Sequence, residues 1–231
     1  MLITRYIHNP ILTKEDIPYP VATVHNAGIV KFKGIYIMIF RSHKLNGRSI
    51  LGKAESMDGY HFVVNKEPFM IPSTEAYFKE YEEYGIEDPR IVEIDGEFII
   101  TYSAYSKNGV RIGLAKTTDP IKTPRGWLSI YHGVFPTMDG SVYRLGVALH
   151  SLKDPSVILG VGDEWILQPE EIYEVTGYVH NVVFTCGAVP EPDGTVKIYW
   201  GGADTVMCMG TAIINELVDH CLVNSRNPLP S

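Results

Sequence analysis

Four times along this chain a Gly opens a short run of aromatic and apolar residues, and a second run with its own Gly follows 16 to 20 residues later. The pairs are KGIYIMIF with SILGKA (Gly34, Gly52), DGEFIITY with RIGLAK (Gly96, Gly113), RGWLSIYHG with YRLGVAL (Gly126, Gly146), and DGTVKIYWGG with CMGTAI (Gly194, Gly210). Three of the pairs run on into Asp-containing turns, SMDG, TTDP and LKDP. β-rich runs separated by Gly, Asp and Pro are the signal for hairpins. Between them no stretch carries a convincing amphipathic helix. The expected class is all-β, and a β-propeller is its natural form, because each blade buries its faces against its neighbours. An irregular β-sandwich with coincidental Gly-aromatic starts is the alternative.

The spacing of the units is uneven. From one leading Gly to the next the intervals are 62, 30 and 68 residues. The outer two suit a blade with its connections, whereas the middle one is half that length. Strands expected at Arg111–Ala115 and Trp127–Tyr131 therefore stand almost end to end, with no room for the outer part of a blade. We read this as sequence missing near Asp119–Ile121. The chain, 1–231, is expected to be a single shortened propeller domain of about four hairpin units.

Composition narrows the function classes. A net charge of −7 argues against sequence-independent binding to nucleic acid, where Lys and Arg neutralise phosphates. Cys186, Cys208 and Cys221 are odd in number and form no CxxC pair, so neither a disulfide framework nor a zinc site is signalled. No apolar run suits a signal peptide or a membrane span, and a cytoplasmic location is expected.

The motifs NPIL, VHNAGIV, IMIFRS, AESMDGYHF, YGIEDPRIVEIDGEFIITYSAY, RIGLAKTTD, IKTPRGWLSIYHGV, YRLGVALHSLKDPSVIL, VTGYVHNVVFTCGAV and IYWGGADT, in that order, resemble glycoside hydrolase family 130, the β-mannoside phosphorylases and related mannosidases. The ordered set, with EDPRI at its centre, is specific where GGADT or YHG alone is weak. The resemblance implies a fold related to the five-bladed glycosidase propellers, with a pocket at the central axis. The family's central portion, including a His-Arg-Pro segment and a further blade, has no match here. It would fall between TTD and PIKT, where the internal spacing also fails.

What the resemblance implies for chemistry is inverting phosphorolysis of a short β-mannoside to α-mannose 1-phosphate. Such a reaction needs an acid for the leaving oxygen and a cationic pocket for phosphate, which replaces the activated water of an inverting glycosidase. By resemblance Asp88 is the general acid, its proton passing through a sugar hydroxyl, with Glu87 positioning it or touching sugar. Arg111, Lys122, His132 and Tyr143 fall on the phosphate side. Asn26, Arg41 and Asp204 fall at the mannosyl unit or its neighbour. Read as residues alone, Asp88 is equally a turn residue before Pro89, Lys122 a solvated charge and His132 a strand-end histidine.

Tyr77, Tyr81, Tyr84 and Tyr105 offer faces for stacking on sugars, and residues 75–85 suit a short helical loop over the pocket mouth. No metal and no organic cofactor are expected, inorganic phosphate being a co-substrate. The expected partner is an oligosaccharide, with no nucleic acid and no membrane; an open sheet edge would also allow a homo-oligomer. Two other readings stand beside phosphorolysis. One is a β-mannosidase that uses water. The other is a catalytically silent propeller that binds carbohydrate or a partner.

Overall fold

The computed structural model of the chain describes residues 1–94, 97–113, 121–123, 125–138 and 140–223; the side chains of 92–94, 97–98 and 121–123 also lie outside that description. After β1 (Thr4–Arg5), a first unit comprises β2 (His25–Phe32), β3 (Ile35–His43), β4 (Ser49–Ser56) and β5 (Val63–Val64). The one-turn helix α1 (Ala76–Lys79) leads to a second unit of β6 (Gly85–Ile94), β7 (Glu97–Ser106) and β8 (Gly109–Gly113). The third holds β9 (Ile121–Thr123), β10 (Gly126–Thr137), β11 (Gly140–His150) and β12 (Ile158–Val161). Beyond the short α2 (Ile172–Val175), the fourth holds β13 (Val183–Pro190), β14 (Thr195–Gly202) and β15 (Val206–Ile213), and α3 (Ile214–Val223) ends the described chain.

All four expected hairpins are present, as β3–β4, β7–β8, β10–β11 and β14–β15. Within each unit the strands pair antiparallel in chain order. A single parallel pair, Ser49 with Gly85, joins the first two units into one continuous sheet. The fourth unit takes its outer strand from the other end of the chain, β1 pairing with β15 through Thr4–Thr211 and Arg5–Gly210. The fold is thus an all-β, propeller-type array of four units, in which the second has three strands among the described residues.

Period-two side chains explain how the units hold together. Along β3, Tyr36, Met38 and Phe40 face the fourth unit, packing with Tyr199, Met207 and Met209. The intervening Ile39 faces the second unit, packing with Ile86 and Ile91. Strand β14 repeats the pattern, Tyr199 joining the first unit while Val196, Ile198 and Trp200 meet Leu145, Val147 and Leu149 of the third. Three shared cores result, running third to fourth, fourth to first, and first to second. Among the described residues no such core joins the second unit to the third.

Two features went beyond the sequence reading. Helix α3 is amphipathic after all: Leu217, Val218 and Cys221 are buried in the core of the third and fourth units. Helix α2 carries a fully buried carboxylate, Glu174. Arg5 Nε and Nη2 donate to its two oxygens at 3.0 and 2.8 Å, and Trp200 Nε1 donates at 3.0 Å. The backbone N–H groups of Glu170 and Glu171 complete its shell. This buried charge ties the closing strand to the fourth unit. Among the described residues no helix is long and apolar enough to cross a membrane.

Candidate active site

Strands β2, β6 and β13 converge at the inner edges of their units. Gly28 permits the closest approach: a Cβ there would lie 2.8 to 2.9 Å from the backbone of Pro89, Arg90 and Ile91. Each strand is interrupted by a bulge, between His25 and Gly28, Glu87 and Arg90, and Thr185 and Gly187. Bulges re-aim side chains, and here they put Asn26 and Asp88 in the left-handed region, both with φ of 48°. Asn and Asp are the non-glycine residues that tolerate it best.

The two side chains meet. Asn26 Nδ2 donates to Asp88 Oδ1 at 3.0 Å, and Arg41 Nη1 donates to the same oxygen at 3.1 Å. Arg41 Nη2 donates to Glu87 Oε1 at 2.7 Å and to His43 Nε2 at 2.9 Å, while its Nε donates to Ser49 Oγ at 3.1 Å. Ser49 Oγ donates in turn to Glu87 Oε1 at 2.8 Å. The Asp88 side chain stays 29% exposed, so it is held yet accessible.

Asp204 sits in the β14–β15 turn, where Ala203 and Asp204 have φ of 46° and 51°. Burial raises its carboxyl to about 6, against the pull of Arg41, with Asp88 and Glu87 adding to the rise. Four of the residues expected from sequence, Asn26, Arg41, Glu87 and Asp88, are therefore joined by direct bonds, and Asp204 lies within reach of their charge.

On the other side of Asp88 lies an aromatic and cationic group. The His132 ring stacks against Phe184 at 4.2 Å between centroids and lies 5.7 Å from Tyr143. Arg90 lies over the Phe184 ring at 5.8 Å and donates to the carbonyls of Pro89 and Thr185. Burial lowers the His132 pKa, the Arg90 charge lowers it further, and Asp88 opposes. Arg90 also lines a cavity of about 380 Å³ with Gly28, Cys186 and Gly187, where the three inner strands converge.

The remaining expectations divide. Arg111 lies exposed on β8, its guanidinium donating to the Val110 carbonyl, so its described contacts do not bring it to His132. The Lys122 side chain lies outside the described residues. Tyr84 and Tyr105 pack edge to face at 5.4 Å beside the strand that carries Glu87, and Tyr77 packs on Phe78 and Tyr81 around α1. Sequence reasoning passed over His43, Ser49, Arg90 and Phe184. A signal existed for two of them, since His43 and Arg90 each lie two residues from a residue already singled out. Among the described residues no group of three or more His, Cys, Asp or Glu could hold a metal ion.

Comparison with known proteins gives the same outline. A family model described as beta-1,4-mannooligosaccharide phosphorylase matches residues 4–119 and 116–222, two stretches that meet where the repeat fails. A 1,2-beta-oligomannan phosphorylase of Thermoanaerobacter sp. strain X514 is 29% identical over 297 aligned positions, covering 92% of this chain and 97% of the relative. Since 92% of 231 residues is about 213, about 84 aligned positions of that relative face no residue here. A beta-1,2-mannobiose phosphorylase of Listeria innocua is 26% identical over 328 positions, covering 98% of this chain and 88% of the relative. The solved structure of the Listeria innocua beta-1,2-mannobiose phosphorylase, in complex with beta-1,2-mannobiose, superposes with a TM-score of 0.84 at 23% identity, covering 96% of this chain and 100% of that one.

Proposed function

The chain belongs to glycoside hydrolase family 130, and we propose that it cleaves a short β-mannoside by inverting phosphorolysis, with Asp88 as general acid. The observation that carries this reading is the hold on Asp88. Its Oδ1 accepts from both Asn26 and Arg41, which leaves Oδ2 to carry a proton. A phosphate oxygen attacks the anomeric carbon, the glycosidic C–O bond breaks, and the leaving oxygen receives the Asp88 proton, directly or through a sugar hydroxyl. Inversion gives α-mannose 1-phosphate and a shortened acceptor.

Phosphate is already anionic, so no second carboxylate is needed as base. Arg41, Glu87 and Asp204 face the mannosyl unit as hydrogen-bonding groups, since hydroxyls taken from water require fixed partners. His132 and Tyr143 take the phosphate side. Arg90 joins them there: a guanidinium that donates to the carbonyls of Pro89 and Thr185 keeps its charge for an anion. Inorganic phosphate is the co-substrate.

The test is product analysis of the purified chain with β-1,2- and β-1,4-linked mannosides, with and without phosphate. The expected product is mannose 1-phosphate, formed only with phosphate and lost in Asp88→Asn. Free mannose regardless of phosphate would assign the chain to the mannosidases. A folded protein that binds mannoside without turnover would make it a binding propeller.

A further inference from the structure

We infer that His43 is a positioning residue: a neutral imidazole with its proton on Nδ1, it fixes the plane of Arg41 and through it the carboxylates of Glu87 and Asp88. The inference rests on the roles proposed above for Arg41 and Asp88. Arg41 Nη2 lies 2.9 Å from His43 Nε2. A guanidinium has only donors, so Nε2 must be the ring nitrogen without a proton. The proton is then on Nδ1, which faces Thr23 Oγ1 at 3.0 Å. That hydroxyl oxygen also accepts the backbone N–H of His43 at 3.2 Å, and Thr23 is itself buried. The imidazole is a wedge between a fixed hydroxyl and a guanidinium.

The consequence lies in how Arg41 spends its five N–H groups. Nε goes to Ser49, both Nη2 hydrogens go to Glu87 and His43, and one Nη1 hydrogen goes to Asp88. One Nη1 hydrogen remains for a ligand oxygen. Without the acceptor at His43, the fork is free to close on a single carboxylate. The remaining N–H then points elsewhere, and Asp88 loses its fixed angle.

The groups facing His43 favour the neutral ring. Burial opposes a cation there most, Arg41 on β3 opposes it further, and Asp88 on β6 favours it. His25 on β2 stands 5.1 Å away between centroids, and Tyr178, before β13, stands 5.5 Å away. The balance pulls His43 down to about 4. His25, completely buried with no hydrogen-bond partner for either ring nitrogen among the described residues, is held neutral by burial, Arg41 and His43.

Ring ¹⁵N NMR of the full chain between pH 5 and 8 tests the assignment without any need for turnover. The expected spectrum shows His43 as the Nδ1–H tautomer with no titration in that range. An Nε2–H tautomer, or titration near 6.5, would overturn the inference whatever the chain's activity. The second arm compares His43→Gln, which keeps an acceptor for Arg41 and a donor for Thr23, with His43→Leu, which fills the space with neither. His43→Leu should lower kcat/KM for the accepted mannoside about 10- to 100-fold, as for loss of a buried hydrogen bond, with His43→Gln within about threefold of the parent. Should the parent not turn over, β-1,2-mannobiose affinity by calorimetry takes the place of kcat/KM. Equal losses in both variants, or none in His43→Leu, would overturn the positioning role. If His43→Leu does not fold, Thr23→Val removes the Nδ1 partner instead, and an unchanged tautomer and unchanged kcat/KM would count against it.

Discussion

Asn26 and Asp88 occupy matching bulges on neighbouring inner strands, share a φ of 48°, and are joined by a 3.0 Å hydrogen bond from Asn26 Nδ2 to Asp88 Oδ1. The first unit therefore holds the proposed acid of the second. Asp88→Asn should lower kcat by about 10³-fold, within the range of 10²- to 10⁴-fold for loss of a general acid, and leave the fold intact. Asn26→Ala should lower it about tenfold or more, because Arg41 still holds Oδ1. Steady-state kinetics with circular dichroism on both variants check this. A larger loss in Asn26→Ala than in Asp88→Asn would put the acid elsewhere.

If the stack of Arg90, Phe184 and His132 forms the proposed phosphate side, its loss should separate binding of phosphate from binding of sugar. Arg90→Gln and His132→Ala are each expected to raise the KM for phosphate about tenfold or more, while the KM for mannoside changes less than threefold. Such a split is the mark of charge-assisted contacts to one substrate only. Initial-rate matrices over both substrates would measure it. Equal effects on both constants would remove these residues from the phosphate side.

Asp204 makes stability depend on pH. Its carboxyl titrates near 4 when unfolded and at about 6 when folded, so between those values the folded state binds the extra proton. Stability then falls as pH rises from about 4 to about 6 and is level above, by about 2 to 3 kcal/mol in total. Asp204→Asn lacks this loss. Urea unfolding at pH 4 and pH 7 should show the variant gaining on the parent by that amount at the higher pH. A difference that is flat with pH would mean the carboxyl is well solvated.

Glu174 is fully buried and meets Arg5 with both oxygens. Removing one partner of such a pair costs about 3 to 5 kcal/mol, because the other charge is left uncompensated. Arg5→Met should lower the midpoint of thermal unfolding by about 10 °C or more, and Glu174→Gln should do so comparably, because its amide NH2 would face N–H donors and leave the Arg5 charge unpaired. Calorimetry decides. A negligible effect of Arg5→Met would show that the buried pair contributes little to holding β1 on the fourth unit.

Much of this architecture was legible in the sequence, because hairpins announce themselves locally. Gly34, Gly126 and Gly194 start strands that pair as expected, and after the short interval at Gly96 the second unit has three strands among the described residues. The inner strands were harder to see. VHNAGIV, GIEDPRIV and VFTCGAV carry bulges, which break the alternation on which strand reading depends. Helix α3 was overlooked although Leu217, Val218 and Cys221 follow helical spacing, because the run is only ten residues long and ends the described chain. At the site, Asp88 and Arg41 were found through their motifs. His43 was not, because its role lies in a hydrogen bond to a side chain two residues back on the same strand, a relation that spacing alone does not reveal.

A closed ring has no first or last member, whereas four units joined by three cores form, among the described residues, a row with two ends. In a row each member is supported by its neighbours, so the members with one neighbour are the first to open. Here those are the second unit, which carries Asp88, and the third, which carries His132. The proposed acid and the proposed phosphate-side imidazole thus belong to the two termini of that row, and neither faces a shared core across the seam among the described residues. Hydrogen exchange should be fastest in β8 and in the outer strand of the third unit, and slowest in β3 and β14, each buried on both faces. Mannoside and phosphate bound together would bridge the two termini, and the substrates would add contacts between two units that share no core among the described residues.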